Sequence, residues 1–286
     1  MKLFNEDNLK FLSKVEEVKD KIKHLHFTTQ RNFYNAIIVY LRASDPENGD
    51  IKEYDLIRNE LNELYRTENE KGTISTKQSD NFVDIEVLRG MITKMENEIK
   101  DQKLKKKEKL TPKEKTLLQV YTIFSILLQI PLRNDLSGME TITRTEYNNL
   151  TEKNKEDGNY LVIYKNKLEF ILNEYKTSRK YKEKIISISK DLEKIIRMYI
   201  KKNDTKVLFT SSTGKPYTRN ALSQLLLKTS QKYLGKNIST TMIRKIVLSD
   251  LFADSKKKQE EMAEITGHSV STMNNVYVKE KQSQES

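Results

Sequence analysis

Residues of three types suited to phosphate chemistry follow one another near the end of the chain. Arg244 lies in an apolar-periodic segment, His268 comes directly after Gly267, and Tyr277 stands nine residues after the histidine. Arginine is permanently charged, and its planar donors match the oxygens of a phosphate. A tyrosine hydroxyl can serve as a covalent nucleophile when its surroundings activate it. These residues together therefore indicate phosphate chemistry.

This stretch resembles the tyrosine recombinases of the phage-integrase type. The signature of that family is an early arginine, a lysine on a β-hairpin, His-x-x-Arg, Gly-His or Gly-Trp, and then the nucleophilic tyrosine. Arg244, Gly267-His268 and Tyr277 match this order and spacing. Thr241 departs from it, because it stands where the family has the histidine of His-x-x-Arg. A threonine hydroxyl can donate a hydrogen bond but cannot titrate near neutral pH, so we expect slower cleavage.

The resemblance implies two further catalytic residues upstream. Arg133 follows a strongly apolar helical segment, where the family carries its first arginine. Lys176 lies between two predicted strands, where the family carries its hairpin lysine, and Lys180 is the alternative. Without the C-terminal motif, Arg133 would be interpreted as a surface residue paired with Asp135 or Glu140, and a single lysine in this lysine-rich segment as solvated.

The family's chemistry then assigns a role to each residue. Arg133 and Arg244 would neutralise the scissile phosphate, and Lys176 would protonate the departing 5′-oxygen. His268 would contact the phosphate or help to move the phenolic proton, and Tyr277 would hold the DNA 3′-phosphate covalently. Because the phosphotyrosine stores the energy of the broken bond, rejoining needs neither ATP nor a metal, and no cofactor is expected.

The charge of the chain points to a polyanionic partner. The 286 residues carry a net charge of +11, and the sequence pI is about 9.3. Residues 1–80 hold 13 Lys and Arg against 15 Asp and Glu, so the positive excess lies entirely in residues 81–286. That half also carries the arginine, histidine and tyrosine motif. Double-stranded DNA is the expected partner.

Several classes of protein are excluded or disfavoured by composition. The chain has no cysteine, which excludes disulfides, thiolate catalysis and cysteine-ligated metals, and its three histidines are too scattered for a histidine-rich metal site. No apolar run approaches the length of a membrane span, and the N-terminal residues do not form a signal peptide. We expect an intracellular protein in the cytoplasm or nucleus of a host cell. Its Lys-rich, Asn-rich, Trp-free composition is compatible with a virus or mobile element.

The first part of the chain is expected to form a helical N-terminal domain. Apolar spacing predicts one helix from Leu9 to Ile22, a second through Phe33 to Leu41 with Thr28 or Thr29 as its cap, and a third from Tyr54 to Arg66. A polar stretch follows, and we place the domains at residues 1–75, a linker at 76–81 and the catalytic domain at 82–286. The first domain resembles the core-binding domain that clamps DNA in this family. A helical module that binds protein is the alternative.

The second part is expected to be mainly helical with a small sheet. Amphipathic spacing predicts a helix over residues 82–100, and Thr111-Pro112-Lys113-Glu114 predicts a capped helix start. Three apolar runs, at residues 160–164, 168–172 and 184–188, predict short strands. The predicted fold is therefore mainly α with a three-stranded antiparallel sheet. Six lysines are candidates for contacts with the DNA backbone, although such residues are as often merely solvated: Lys103, Lys105, Lys106, Lys107, Lys180 and Lys245.

These features together predict a site-specific DNA recombinase or integrase. The resemblance implies a homo-tetramer assembled on DNA and weakly associated without it. A catalytically impaired DNA-binding protein on the same fold is one alternative, and Thr241 is the residue that suggests it. A type IB topoisomerase-like enzyme that nicks and closes DNA as a monomer is the other.

Overall fold

The computed structural model describes residues 9–70, 72 and 76–278. The chain divides into two compact units, Met1–Lys77 and Gln78–Ser286. The predicted linker, residues 76–81, lies within the described residues. Residues 71 and 73–75 of the polar stretch before it lie outside them, as do the first eight residues and residues 279–286 of the predicted catalytic domain.

Unit 1 consists of helices around a small apolar core. Its helices are α1 (Leu9–Leu12), α2 (Val15–Ile22), α3 (Phe27–Ser44) and α4 (Asp50–Glu70). The single helix predicted from Leu9 to Ile22 is wrong, because the hydroxyl of Tyr54 donates a hydrogen bond to the carbonyl of Leu12 (2.7 Å) and the backbone turns before α2. The predicted threonine cap of α3 is also wrong. A ring nitrogen of His26 accepts the backbone N–H of Thr28 instead.

Unit 2 is mainly helical and begins within α5 (Thr76–Ser79). Its remaining helices are α6 (Ile85–Asp101), α7 (Pro112–Gln129), α8 (Arg144–Asn148), α9 (Glu152–Glu156), α10 (Ser178–Tyr181), α11 (Lys190–Ile200), α12 (Arg219–Leu234), α13 (Thr240–Thr266) and α14 (Val270–Thr272). A 3₁₀ turn covers Asn134–Leu136, and a π-helical turn covers Met273–Tyr277. Within the described residues, none of the helices combines the length and the apolar character needed to cross a membrane.

The central helix of unit 2 is α7, which is buried along most of its length. The predicted capping box is confirmed: the hydroxyl of Thr111 accepts the N–H of Glu114, and the carboxylate of Glu114 accepts the N–H of Thr111. Because α7 packs against α6, α11, α12 and α13, its end fixes the position of the turn that carries Arg133.

The sheet has four strands in the order β1 (Glu140–Thr143), β2 (Asn159–Ile163), β3 (Leu168–Leu172) and β4 (Lys184–Ser187). The three predicted strands match β2, β3 and β4, which pair antiparallel. The prediction of a purely antiparallel sheet is wrong, because β1 pairs parallel to β2. The β1 sequence, Glu-Thr-Ile-Thr, is too short and polar to predict a strand, and the parallel pairing needs the crossover that α8 and α9 supply.

The long helix α13 has two different halves. Ser239 caps its start, and Ile243, Ile246 and Val247 anchor the first turns in the core. Beyond Val247 the side chains are exposed, with Ala263 as the exception. Gly267 ends the helix in the left-handed conformation (φ 68°), which glycine adopts without strain. We call residues 251–278, from the exposed half of α13 to Val278, the distal arm.

Candidate active site

Arg133 stands at the start of the 3₁₀ turn that follows α7. Leu136 is fully buried and holds this turn against the core, whereas the Arg133 side chain is exposed. The side-chain amide of Asn134 donates to the carbonyl of Arg219 (3.2 Å) and to the hydroxyl of Ser223 (2.8 Å). The turn is therefore fixed to α7 on one side and to the start of α12 on the other.

Arg244 enters the same region from the first half of α13. Its neighbour Ile243 is fully buried, so the helix can present Arg244 in only one direction. Desolvation lowers the pKa of Arg244; repulsion from Arg133 also lowers it, and attraction to Asp135 opposes both. The two arginines, which are far apart in the sequence, thus lie close enough for their charges to interact. Both remain charged at neutral pH.

Asp135 is the carboxylate at the centre of this arginine cluster, and its side chain is only 8% exposed. Burial raises the pKa of Asp135, whereas a backbone hydrogen bond from Arg133 and the charges of Arg219, Arg133 and Arg244 act in the opposite direction. Among the described residues, Arg219 forms an ion pair with Glu174 (3.0 Å), but neither Arg133 nor Arg244 is paired with a carboxylate. Their guanidinium groups are therefore available to an added anion.

Lys176 lies in the connection between β3 and β4. Tyr175 anchors this connection, since its ring is buried and its hydroxyl donates to the carbonyl of Lys182 (2.7 Å). The Lys176 side chain is exposed, two residues after the Glu174 that contacts Arg219. Lys180, the alternative, is on α10 with its ammonium 5.0 Å from the centre of the Tyr181 ring. Of the two lysines, Lys176 is nearer in sequence to the contact with the arginine cluster.

Thr241 lies one helical turn before Arg244 on α13, and its side chain is exposed. Residues three apart on a helix share a face. The hydroxyl of Thr241 is therefore on the same side of α13 as the guanidinium group of Arg244.

His268 and Tyr277 lie together at the far end of α13. The backbone N–H of His268 donates to the carbonyl of Ala263 (2.9 Å), which places the histidine directly after the helix. The π-helical turn then brings the Tyr277 ring onto the imidazole, with a centroid distance of 4.9 Å and an angle of 21° between the rings. Tyr277 is 60% exposed. This stacked pair contacts solvent over most of the tyrosine ring.

The structure does not bring this pair to the arginine cluster. The helix α13 is continuous from Thr240 to Thr266, so at about 1.5 Å per residue the Cα atoms of Arg244 and Thr266 are about 33 Å apart. The amide of Asn274 donates to the side chain of Gln259 (3.3 Å), which keeps the end of the distal arm folded back along its own helix. The predicted site is thus in two parts in this conformation of the chain.

The lysines predicted to contact DNA are on several surfaces. Lys103, Lys105, Lys106 and Lys107 are exposed after α6, but Lys107 forms an ion pair with Glu114 (2.5 Å). Lys245 is exposed beside Arg244, and its ammonium donates to the side-chain oxygen of Gln78 (2.5 Å). Within the described part of the chain, no cluster of histidine and carboxylate side chains could hold a metal ion.

Sequence reasoning missed three residues of this region: Asp135, Asn159 and Arg219. The sequence indicates Asp135 only as a surface partner of Arg133. Arg219 did give a signal, because a positive charge in the first turn of a helix opposes the helix dipole. Thr218 caps α12 and so puts Arg219 at that position. Asn159 gives no signal in the sequence. Its buried side chain bonds to the backbone of two loops, at Asp135 and at Asn173 and Glu174, and these contacts depend on how β2 packs.

Comparison with known proteins gives only distant similarities. No protein-family model matches the chain, and no curated protein is similar to it in sequence. A crystal structure of XerA recombinase is 12% identical, covers 97% of this chain and 80% of its own, and gives a TM-score of 0.40. The XerH site-specific recombinase bound to palindromic difH in a post-cleavage complex is 14% identical, with coverages of 96% and 69% and a TM-score of 0.43. Its pre-cleavage complex with difH is 13% identical, with coverages of 67% and 48% and a TM-score of 0.36.

Proposed function

We propose that this chain is a site-specific DNA recombinase or integrase that breaks and rejoins strands through a covalent bond to Tyr277. The observation that carries the proposal is the cluster of Arg133 and Arg244, which come from distant segments, interact electrostatically with one another and with Asp135, and form no ion pair among the described residues. Repulsion between two arginines disfavours such a pair unless an anion binds between them. The order Arg133, Lys176, Arg244, His268, Tyr277 supports the same chemistry.

The proposed reaction transfers a phosphoryl group from a deoxyribose 5′-oxygen to the tyrosine. The oxygen of Tyr277 attacks phosphorus, its proton passes to His268, and the bond between phosphorus and the 5′-oxygen breaks. The leaving oxygen takes a proton from Lys176, while Arg133 and Arg244 neutralise the charge that develops on the non-bridging oxygens. The reverse reaction, with a 5′-hydroxyl as the nucleophile, rejoins the strand. It needs neither ATP nor a metal, because the phosphotyrosine bond stores the energy.

The partner in this proposal is double-stranded DNA, bound by a homo-tetramer that is weakly associated without DNA. Residues 1–75 bind the duplex as a core-binding domain, and exposed lysines of the second domain, such as Lys103, Lys105 and Lys180, contact its backbone. The separation of Tyr277 from Arg244 supports assembly of several copies, because one chain in this conformation does not hold a complete site.

The test is a trapping assay on a nicked duplex. A random-sequence duplex pool is first selected for binding to the protein, and the selected duplex is then nicked next to the cleavage position, so that the released strand is lost and the adduct accumulates. We expect a slowly migrating protein–DNA adduct on denaturing gels without added metal. Tyr277→Phe should abolish the adduct while leaving DNA binding intact, and Tyr181→Phe, at another exposed tyrosine, should leave it unchanged. A protein that binds the selected duplex tightly but forms no adduct contradicts the proposal.

A second candidate is a DNA-binding protein that has lost catalysis. Two observations favour it: Thr241 replaces a residue that titrates, and Tyr277 is remote from the arginine cluster. Binding of the selected duplex without any adduct, in wild type as in Tyr277→Phe, is its expected result in the same assay.

A further inference from the structure

Asn159 makes four hydrogen bonds that join two segments of the chain. One segment is the turn that carries Arg133, and the other is the β3–β4 connection that carries Lys176. It is the first residue of β2, and its side chain is 7% exposed. Its amide nitrogen donates to the carbonyl of Asp135 (3.1 Å) and to the carbonyl of Glu174 (2.9 Å). Its amide oxygen accepts the backbone N–H groups of Asn173 and Glu174, each at 3.0 Å. An asparagine amide has two donor hydrogens and two acceptor positions, so all four are used.

These bonds link one catalytic segment to the other. Asp135 is two residues after Arg133, and Glu174 is two residues before Lys176. Two further contacts close a ring around the same place: Asn134 bonds to the backbone of Arg219, and Arg219 pairs with Glu174. The ion pair is exposed on both sides and contributes little by itself. The hydrogen bonds of the Asn159 amide are therefore the contacts of this ring that are best shielded from solvent.

We propose that Asn159 is a positioning residue that sets the distance between the arginine cluster and the ammonium of Lys176. The inference rests on the proposed function. Lys176 can protonate the leaving oxygen only when it reaches the phosphate that the arginines hold. Its own side chain is exposed, so its placement depends on the backbone of the β3–β4 connection. Asn159 fixes that backbone to the turn of Arg133.

The variant that tests this placement is Asn159→Asp. A carboxylate keeps the acceptor oxygens for the N–H groups of Asn173 and Glu174 but loses both donors, and with them the bond to the carbonyl of Asp135. The matched control is Asn173→Asp. Its side chain donates to the carbonyl of Gly158 (3.3 Å) at the same end of the sheet and does not contact the turn of Arg133.

Each variant is assayed on two versions of the selected duplex. One has the natural 5′-oxygen at the cleaved position, and the other has sulfur in its place. A thiolate leaves without a proton, so the sulfur duplex does not need Lys176. We expect Asn159→Asp to slow cleavage of the oxygen duplex by about 100-fold, the scale of a lost general acid. Cleavage of the sulfur duplex needs no general acid, so Asn159→Asp should cleave it within about threefold of the wild-type rate.

Three further variants complete the design. Lys176→Ala should behave like Asn159→Asp, whereas Arg244→Ala should lose cleavage of both duplexes, and Asn173→Asp should cleave both like wild type. Equal losses on the two duplexes in Asn159→Asp, or no loss on either, would overturn the inference. If circular dichroism shows that Asn159→Asp does not fold, Asn159→Ser decides, because the shorter side chain gives up the bond to the carbonyl of Asp135 without placing a charge in the buried position. Selective loss on the oxygen duplex then supports the inference, and any other pattern overturns it.

Failure of the proposed function gives a different result. Wild-type protein that forms no adduct with either duplex refutes strand cleavage by this chain, and the role of Asn159 falls with it. Wild-type protein that cleaves both duplexes, combined with equal losses in Asn159→Asp, refutes only the positioning role.

Discussion

Asp135 has a cost to stability that is explained by its place among the arginines. A buried carboxylate is expensive unless it is paired, and the pKa of Asp135 is raised even though three arginines act to lower it. Carboxylates with perturbed pKa values cluster at functional sites, although structural ion-pair networks perturb them too. Here the charges of Arg219, Arg133 and Arg244 all act on the Asp135 carboxylate, so its charge can help to orient the arginine side chains.

Replacement of Asp135 should separate stability from activity. A raised folded pKa means that Asp135 favours the folded state at low pH, and that this contribution is lost as the pH rises through that pKa. We expect Asp135→Asn to be at least as stable as wild type at neutral pH, with its relative stability falling as the pH drops. Cleavage should fall by about 10-fold to 100-fold because the arginines lose their orientation. Urea unfolding at pH 4 and pH 7, with adduct formation on the nicked duplex, measures both.

Thr241 limits the rate if the proposed chemistry is correct. It is exposed on the face of α13 that carries Arg244, so a histidine there has room to reach the same phosphate. We expect Thr241→His to accelerate cleavage. The gain should not exceed the factor of about 100 to 10,000 that general acid–base catalysis typically supplies. Thr241→Val serves as the control and should not accelerate it. Single-turnover cleavage rates on the nicked duplex measure this effect. A histidine variant that is no faster than wild type would contradict the prediction.

At the scale of elements, the sequence predicts those parts whose signals are local. The capping box of α7, the Gly235 and Gly267 ends of α12 and α13, and three of the four strands follow from residues adjacent in the chain. The break between α1 and α2 and the strand β1 could not be predicted, because each depends on a distant partner: the hydroxyl of Tyr54 and the edge of β2. Asn159 belongs to the second group for the same reason.

The features of the candidate site also fall into two groups: those that the sequence predicts and those that depend on the fold. The types and order of Arg133, Lys176, Arg244, His268 and Tyr277 can be obtained from the sequence and the family that it resembles. The central place of Asp135, the presence of Arg219 and the remoteness of Tyr277 could not, because they depend on how α12 and α13 pack and on where α13 ends.

The start of α7 provides a pH-dependent test at this scale. Hydrogen bonds from Lys107 and from the backbone of Thr111 lower the pKa of Glu114. A lowered folded pKa means that Glu114 stabilises the fold above its ordinary titration range and loses this effect as the pH falls through the lowered pKa. We expect Glu114→Ala to lower the melting temperature at pH 7 and to differ less from wild type at pH 3. Glu108→Ala, exposed in the same loop, should melt like wild type at both pH values.

At the scale of the whole molecule, the distal arm exposes several large apolar side chains on a single helix and the turns that follow it. Phe252 is 57% exposed and Ile265 is 78% exposed, and ion pairs from Lys256 to Glu260 and from Lys257 to Glu261 support the helix between them. The part of α13 between Arg244 and Thr266 contains neither proline nor glycine. The helix therefore has no sequence feature at which it would bend to return Tyr277 to its own arginines.

Mixing two inactive variants tests whether copies share a site. Arg244→Ala lacks one arginine of the cluster, and Tyr277→Phe lacks the hydroxyl of the proposed nucleophile. If the tyrosine of one copy serves the arginines of another, a mixture regains cleavage, since random pairing combines the two variants in about half of all pairs. We expect adduct formation by the mixture on the nicked duplex. A mixture of Arg133→Ala and Arg244→Ala, which damage the same cluster, should stay inactive. Failure of the first mixture would show that each copy completes its own site.

Because α13 is uninterrupted, the direction in which Tyr277 points depends on the number of residues in the helix. Each residue added between Val247 and Phe252 would rotate Tyr277 by about 100° around the helix axis and move it by about 1.5 Å along that axis. An insertion of seven residues nearly restores the original direction and lengthens the arm by about 10 Å, whereas an insertion of two turns Tyr277 to the opposite side. Under the proposed function, the number of residues in this helix would therefore set how far the nucleophile lies from Arg244, although none of the inserted residues would belong to the arginine cluster.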